Sequence, residues 1–571
     1  MKSGLYDDVD EDAGALPPLP GTDPVRPRGS DPLRGSFVSP EKPSIWRGVG
    51  LGLLATAVGL AVAELIVGLV KGSASPVVPV GQEFINIAPQ WLVEWGKRTF
   101  GTDQKSVLVA GAVIVVFGLG SLIGVMAVRG ERGFAYGLTV AIGVLGAWAV
   151  WLRPGTTLGK LAPTVVGSIV SVAVLWWLMP RRSPDSPTGE PMVGPDRRQF
   201  VQGAVAVGSV AAVTGGVGRV LQRRFAVDTD FALPGQTLDA GAGDSPADTV
   251  VPAGDVVVDR ATSVQGAELG VDGIVPFVVP NDDFYRIDTA LVVPQVSSDS
   301  WRLSIDGLVD NPIELTFADL LARDQVERHI TLSCVSNPIG GDLVGNALWQ
   351  GVLLKPLLEE AGLQAGAEQL VSRSVDGWTC GSPIEAIMDG RDAMLAFGMN
   401  GEPLPAQHGF PVRIVVPGLF GYVSATKWLT DIRLTRWEDF DGYWIPRGWS
   451  KLGPVKTMAR IDTPRSGASR DGVVPIGGVA WAVNRGVSEV QVRIGRDDGE
   501  MGEWTPAELG SVPTADTWVQ WVHRWDTAGL DGVYIVEVRA IDGDGEPQPE
   551  EPRAVAPDGA QGYHRIAIEI G

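Results

Sequence analysis

Histidine is nearly missing from this sequence: the 571 residues contain four, at positions 329, 408, 523 and 564, and none precedes His329. That absence excludes a b-type haem held by the N-terminal part, because such haems need paired His ligands from spanning helices. Cysteine is scarcer still, with only Cys334 and Cys380. Two thiols make no disulfide framework, no CxxCH haem attachment and no Cys-rich zinc or iron–sulfur site. Basic residues are outnumbered, 46 Lys and Arg against 67 Asp and Glu, for a net charge of −21. A nucleic-acid binder needs a basic face to neutralise phosphates, so that partner class is excluded. The acidic excess keeps an exposed domain soluble.

What the sequence does have is apolar length, concentrated before residue 225. Residues 1–45, rich in Pro, Gly, Asp and Arg, read as a disordered cytoplasmic tail. Runs at about 47–70, 106–128, 134–152 and 162–179 are long enough to cross a bilayer, giving four transmembrane helices within 46–182. The stretch 76–100 is broken by polar residues and Pro and reads as interfacial or re-entrant. A fifth run at about 200–222 is built from Ala, Gly, Val, Ser and Thr, and Arg197, Arg198 and Phe200 before it resemble a twin-arginine export signal. A positively charged stop-transfer flank is the plainer alternative, but the weak hydrophobicity of the run fits export better. The region 183–225 is thus a cytoplasmic loop followed by a fifth helix. With the tail inside, the inner segments carry 12 Lys or Arg and the two outer loops carry six, so everything after about residue 225 is expected on the extracytoplasmic side. Glu64 lies inside the first run, a hint of a functional site in a membrane, with no partner readable from the sequence.

Residues 226–275 have the Ala, Gly, Asp and Pro content of a linker. From 276 to 450 short β-type runs such as HITLSCV and VRIVVP alternate with amphipathic stretches such as LLKPLLEEAGL, an α+β pattern. After 454 alternating strands separated by Gly, Asp and Pro turns predict a small β-sandwich over 454–571. Cys334 falls at the end of a predicted strand, entering a Gly/Pro loop. Three readings are open for it: a buried structural thiol, a nucleophile that would need a base, or a soft ligand for a metal otherwise held by a cofactor.

Five motifs in one order bear on that choice: PNDDFYRIDTAL (280–291), TLSCVSNPIGGDLVGNALWQ from residue 331, SVDGWTCGSPIEA (374–386), LPAQHGFPVRIVVPGLFGY (404–422) and SATKWLTDIRL (424–434). Together they resemble the sulfite oxidase superfamily of molybdopterin enzymes over about 276–450. The strands after 454 resemble that family's immunoglobulin-like dimerisation domain. The resemblance implies a multi-domain protein with a five-helix membrane region, an α+β molybdopterin domain and an immunoglobulin-like β-sandwich. It implies a molybdenum–molybdopterin cofactor (Mo-MPT) with Cys334 as the thiolate ligand of the metal. It places Asn281, Tyr285 and Arg286 along the pterin and Thr379 near it. His408 and Arg413 are placed on the pterin and its phosphate, and Ser424 and Lys427 on the phosphate-side loop, with Tyr285 also beside the reacting centre. Cys380 is expected to be a small buried residue, unpaired with Cys334. A homodimer through the C-terminal domain is a further implication.

The implied chemistry is two-electron oxygen-atom transfer on a small-molecule substrate. Sulfite oxidases place a basic pair soon after the Cys-x-x-Asn stretch; here it reads Cys334-Val-Ser-Asn337-Pro-Ile-Gly-Gly without arginine. Arg328 and Arg373 are the remaining candidates to meet a dianion. Reduction of a neutral sulfoxide, as in exported reductases of the same superfamily, fits at least as well. Lacking its own haem or cluster ligands, the chain is expected to use a separate haem- or quinone-linked electron partner. Two rival classes are a non-catalytic membrane-anchored binding module with a degenerate cofactor domain, and an ion-coupled transporter, which only Glu64 favours.

Overall fold

The computed structural model describes residues 44–179 except 71, 72, 74, 90, 91, 93, 94, 97, 98, 101–103, 154 and 155, then 197–222, 231, 233, 234 and 256–571 except 467 and 471. The expected tail and most of the loop before residue 197 lie outside them.

The N-terminal part is helical: α1 (Ile45–Leu69), α2 (Val77–Ile87), α3 (Gln104–Val128), α4 (Arg132–Trp151), α5 (Ala162–Leu178) and α6 (Arg197–Gln222). Four spans, Ile45–Leu69, Lys105–Val128, Arg132–Trp151 and Leu158–Leu178, are long and apolar enough to cross a membrane. Helix α6, with its Arg, Gln, Ser and Gly content, is not among those four. Helix α1 is central and packs against α3, α5 and α6. Small residues make this possible: a Cβ on Gly52 of α1 would lie 1.8 Å from the Gly120 carbonyl oxygen of α3. Gly48 and Gly52 face Gly120 and Gly124, a pair of small-xxx-small stripes that let two backbones touch. The interrupted stretch after α1 contains the short helix α2, which rests on α3 and α4.

Beyond residue 256 the described residues form four sheets. The first orders its strands Val258–Asp259, Gln325–Ser333, Val344–Leu353, Met394–Met399 and Arg413–Val415, with Glu402–Pro403 paired to Met394–Met399. The second runs Ile313–Thr316, Arg302–Gly307, Leu429–Thr435, Gln369–Ser374 and Thr379–Pro383. Both contribute to one core that includes the fully buried Trp301, Trp349, Phe397 and Ile432. Beyond residue 457 two further sheets, one led by Met458–Thr463 and Val473–Trp481 and one by His564–Ile570 and Gly532–Asp542, enclose a second core around Trp521 and Val536. The two cores are stitched together: Trp518 donates its backbone N–H to the Thr331 hydroxyl at 2.7 Å and its indole N–H to the Phe277 carbonyl at 2.9 Å.

Several described residues of the stretch 226–275, expected as a linker, are packed against the first core or paired with its sheet. Val258 and Asp259 pair in parallel with Gln325 and Val326. Ala267 is fully buried, and Leu233 lies in the first core. Backbone pairing with a distant strand and one inserted apolar side chain hold a segment that has too few large side chains to advertise a core.

Candidate active site

The first sheet sets the position of Cys334. Residues 330–333 are buried on both faces, so the strand reads as a continuous run rather than an alternation. Ser333 pairs with Val344, and the Cys334 N–H donates to the Leu343 carbonyl at 2.9 Å, closing the loop 335–342 between two strand ends. Inside the loop, Leu343 N–H donates to Asn337 Oδ1 at 2.9 Å and Asn337 N–H to the Cys334 carbonyl at 3.0 Å. The Ser336 N–H points at Cys334 Sγ from 3.4 Å. The thiolate is the form of a cysteine that binds metal. The C-terminal sheets brace the loop from outside: Arg460 donates to the Gly341 carbonyl at 2.9 Å. At Gly340, in the left-handed region with φ +73°, a Cβ would strike the His564 ring.

Cys334 opens on a cavity of about 2090 Å3 that Tyr285, Arg286, His408, Arg413 and Lys427 also line. Arg413 ends up there because its strand forms the edge of the first sheet, which lays its guanidinium over the Trp349 ring, 4.9 Å from the centroid. It is buried, and among the described residues no carboxylate pairs with it; it donates to the His408 carbonyl at 3.3 Å and the Ile414 carbonyl at 3.4 Å and lies on the Trp349 ring. Burial pushes its guanidinium down to about 10. An unpaired buried charge costs several kcal/mol, roughly 3–5 when a partner has been removed, so this site is built to receive an anion.

Lys427 has an anion already. Its ammonium lies 2.7 Å from Asp288, which also takes Arg286 at 2.8 Å and Lys105, the second residue of α3, at 2.6 Å. Burial alone would raise the Asp288 carboxyl, but Lys427, Arg286 and Lys105 outweigh it and hold the group below the usual carboxylate range. Burial lowers Lys427 to about 8 in spite of Asp288.

His408 is buried, and burial together with the neighbouring cations brings its ring down to about 4. It is neutral at pH 7, with Nε2–H donating to the Asn281 carbonyl at 2.9 Å and Phe284 edge-on at 5.7 Å. Tyr285 stacks on Phe284 at 5.1 Å. Its phenol is pushed up by burial first and by Cys334 second, with Arg413 opposing, so it remains a proton donor across the neutral range.

Three sequence-predicted residues do not line the cavity. Asn281 spends its side chain on Met399 and Glu402 and accepts from Asn400 at 2.9 Å, so only its backbone reaches the site, through His408. Ser424 turns its hydroxyl back to the Phe420 carbonyl at 3.1 Å. Thr379 lies buried in its strand, its carbonyl taken by Tyr443 N–H at 3.0 Å, and the preceding Trp378 reaches the cavity instead. Arg328 is bound to Asp392 at 2.6 Å and Asp259 at 2.5 Å, and neither it nor Arg373 lines the cavity. Arg460 does, although Asp462 already holds it at 2.6 Å. Asp288, Lys105 and Arg460 were missed by sequence reasoning. Asp288 at least stands inside the PNDDFYRIDTAL motif, whereas Lys105 reads only as a loop charge.

No disulfide joins the two thiols, and their surroundings differ. Cys380 is enclosed by Ser372 and Thr426 hydroxyls at 3.2 and 3.3 Å, and burial pushes it up to about 11. Among the described residues no group of three or more His, Cys, Asp or Glu could hold a metal by itself. A single thiolate facing a cavity with an uncompensated cation instead suits a metal that arrives with its own anionic organic ligand.

Residues 290–444 match the family described as "Oxidoreductase molybdopterin binding domain". The chain is 36% identical over 153 residues to the Bacillus subtilis protein named "Uncharacterized oxidoreductase YuiH", covering 27% of this chain and 74% of the relative. It is 28% identical over 328 residues to sulfite oxidase of Gallus gallus (49% of this chain, 69% of the relative). With sulfite oxidase of Arabidopsis thaliana it shares 26% identity over 360 residues (52% and 89%).

Proposed function

This chain belongs to the molybdopterin-binding oxidoreductases of the sulfite oxidase type, and from that premise we propose that it is a membrane-anchored enzyme transferring an oxygen atom to or from a small neutral substrate, a sulfoxide or related oxide. The observation that carries the reading is Arg413: a buried cation with no carboxylate partner among the described residues, opening on the same cavity as Cys334. When bound, the molybdenum–molybdopterin cofactor supplies a two-electron metal centre able to exchange an oxygen atom with substrate.

The chain's own residues do the rest. Cys334 would provide the sulfur ligand, with the Ser336 N–H directed at its Sγ. Arg413 would hold the cofactor phosphate through charge-assisted hydrogen bonds, and Lys427 would join it from the Asp288 cluster. Neutral His408, held by the Asn281 carbonyl, borders the pterin without adding charge. Tyr285 keeps its proton and would offer it as a hydrogen-bond donor at the Cys334 end of the cavity. The neutral-substrate preference rests on charge: the loop after Cys334 has no arginine, and Arg460 is matched by Asp462.

The domain after residue 454 acts as an immunoglobulin-like module, as its two packed sheets suggest, and offers a surface for a homodimer. Helix α6 forms a fifth span, and Arg197, Arg198 and Phe200 at its start serve folded export to the extracytoplasmic face. Protease added outside intact cells should then cleave the soluble part, and protection there would overturn the orientation.

The deciding experiment is purification of the full chain from a cofactor-competent host, followed by metal analysis and a screen of sulfite and several S- and N-oxides with artificial electron donors and acceptors. One molybdenum per chain with oxide reduction supports the reading. Sulfite turning over faster than every oxide refutes the neutral substrate. Metal-free protein leaves a non-catalytic binding module instead.

A further inference from the structure

The cavity is much larger than one cofactor needs. Its volume of about 2090 Å3 compares with roughly 300–1,000 Å3 for an ordinary small-molecule site. Its far wall is not part of the soluble domain at all. The same continuous space that touches Cys334 and Arg413 is lined by Thr56 of α1, Leu119 of α3 and Ser168 of α5. The two halves meet at Lys105 and Asp288, which bond each other and both line the cavity. One end is cationic and hydrogen-bonding; the other is apolar and lies among helices able to cross a membrane. Phe84, Val107 and Val115 line the cavity and are also exposed, so the wall opens sideways between α2 and α3.

A ligand matching this shape has a compact polar head and a long apolar tail, and reaches the site from the bilayer. The chain has no histidine before His329 to hold a paired-His haem in its helices. A carrier that entered this cavity from its apolar side would reach the Cys334 end directly, with no haem needed in the helices. We propose that the helix-lined part of the cavity binds a lipid-soluble isoprenoid quinone, which exchanges electrons directly with the cofactor site. This deepens, and rests on, the molybdenum reading above. The balanced exchange has quinol and substrate oxide on one side, and quinone, deoxygenated substrate and water on the other. Two electrons and two protons leave the quinol as the oxide loses its oxygen to water. The head would sit by the Lys105–Asp288 pair, and the tail would run along α3.

Two glycines of α3 give a matched test. A Cβ on Gly111 or on Gly118 meets nothing within 4 Å, so neither substitution forces a backbone clash. Gly111 lines the cavity, whereas Gly118 is exposed away from it. Full-length wild type, Gly111→Phe and Gly118→Phe are placed in phospholipid nanodiscs, and binding of a decyl-substituted quinone is read by quenching of tryptophan fluorescence. Gly111→Phe should weaken binding by about tenfold or more, equivalent to ~1.4 kcal/mol. Gly118→Phe should bind as wild type does, and molybdenum content should be equal in all three. Equal quinone binding by the two variants overturns the proposal, as does bound phospholipid that the quinone fails to displace. The binding readout does not depend on molybdenum. Metal-free protein would therefore count against the enzyme reading, while metal-loaded protein that reduces an oxide with a soluble dye but binds no quinone would count against this proposal alone.

Discussion

Cys334 and Cys380 occupy two neighbouring regions of one domain, and their surroundings could hardly differ more. Cys380 lies in the second sheet, closed in by two hydroxyls that also bond each other at 2.6 Å. Cys334 ends a strand of the first sheet, faces a cavity and receives a backbone N–H. Burial among neutral partners holds the Cys380 thiol protonated, while the Cys334 sulfur is left facing open space where a metal could reach it. Residue type is the same; the field and the free space around it make the difference.

The comparison breaks first if both thiols behave alike on substitution. Cys334→Ser should lower oxygen-transfer turnover by more than about 100-fold, beyond the ~10–100-fold typical of an outer-shell partner of a metal. Cys380→Ser should leave turnover within experimental error. Equal losses in a turnover assay would remove the distinction.

Arg413→Met asks whether the open side of the comparison is built for an anion. Cofactor content should fall by about 10–100-fold, matching the ~1.5–3 kcal/mol of a charged hydrogen bond. The cofactor-free protein should melt no lower than wild type, because an unpaired buried charge is removed. A lower melting temperature for the cofactor-free variant would mean that Arg413 is structural.

His408 sharpens the comparison through pH. Its folded value is about 4, below the ordinary 6.5 of the unfolded chain. Between those values the unfolded chain holds a proton that the fold lacks, so this group's contribution to stability, intact above pH 6.5, is lost as pH falls toward 4. The expected slope approaches ~1.4 kcal/mol per pH unit, and His408→Gln should flatten it in chemical denaturation series. An unchanged slope would show that other groups set the acid response.

Lys105→Met probes the link between the helices and the site. Asp288 keeps Arg286 and Lys427, so the loss should be near 1 kcal/mol, read as a small drop in melting temperature with cofactor content retained. Loss of the cofactor would show that the helix, and not the soluble domain, holds this cluster together.

Much of this was legible in the sequence. The four apolar runs match helices because span length follows directly from bilayer thickness and rise per residue. The strand end at Cys334 was readable from HITLSCV, and His408, Arg413 and Lys427 do meet the thiol in one cavity. Asn281, Thr379 and Ser424 stand in the right segments, yet their side chains are spent on Met399, on the strand interior and on the Phe420 carbonyl. A motif locates a backbone but does not say which way a side chain points. The stretch before 276 looked like a linker because two paired residues, Val258 and Asp259, leave no periodicity to detect.

By itself the sequence determined what is local or compositional: apolar lengths, the scarcity of histidine and cysteine, and the ordered motifs around one thiol. Only the tertiary structure decided what depends on distant partners. Lys105 and Asp288 are 183 residues apart, yet they form one ion pair. Arg413 has no carboxylate partner among the described residues because none of their acidic side chains folds beside it. The cavity exists because the helices and the sheets meet at its rim. Charge compensation and empty space are properties of how segments come together in three dimensions, so no pattern along the chain could have stated them.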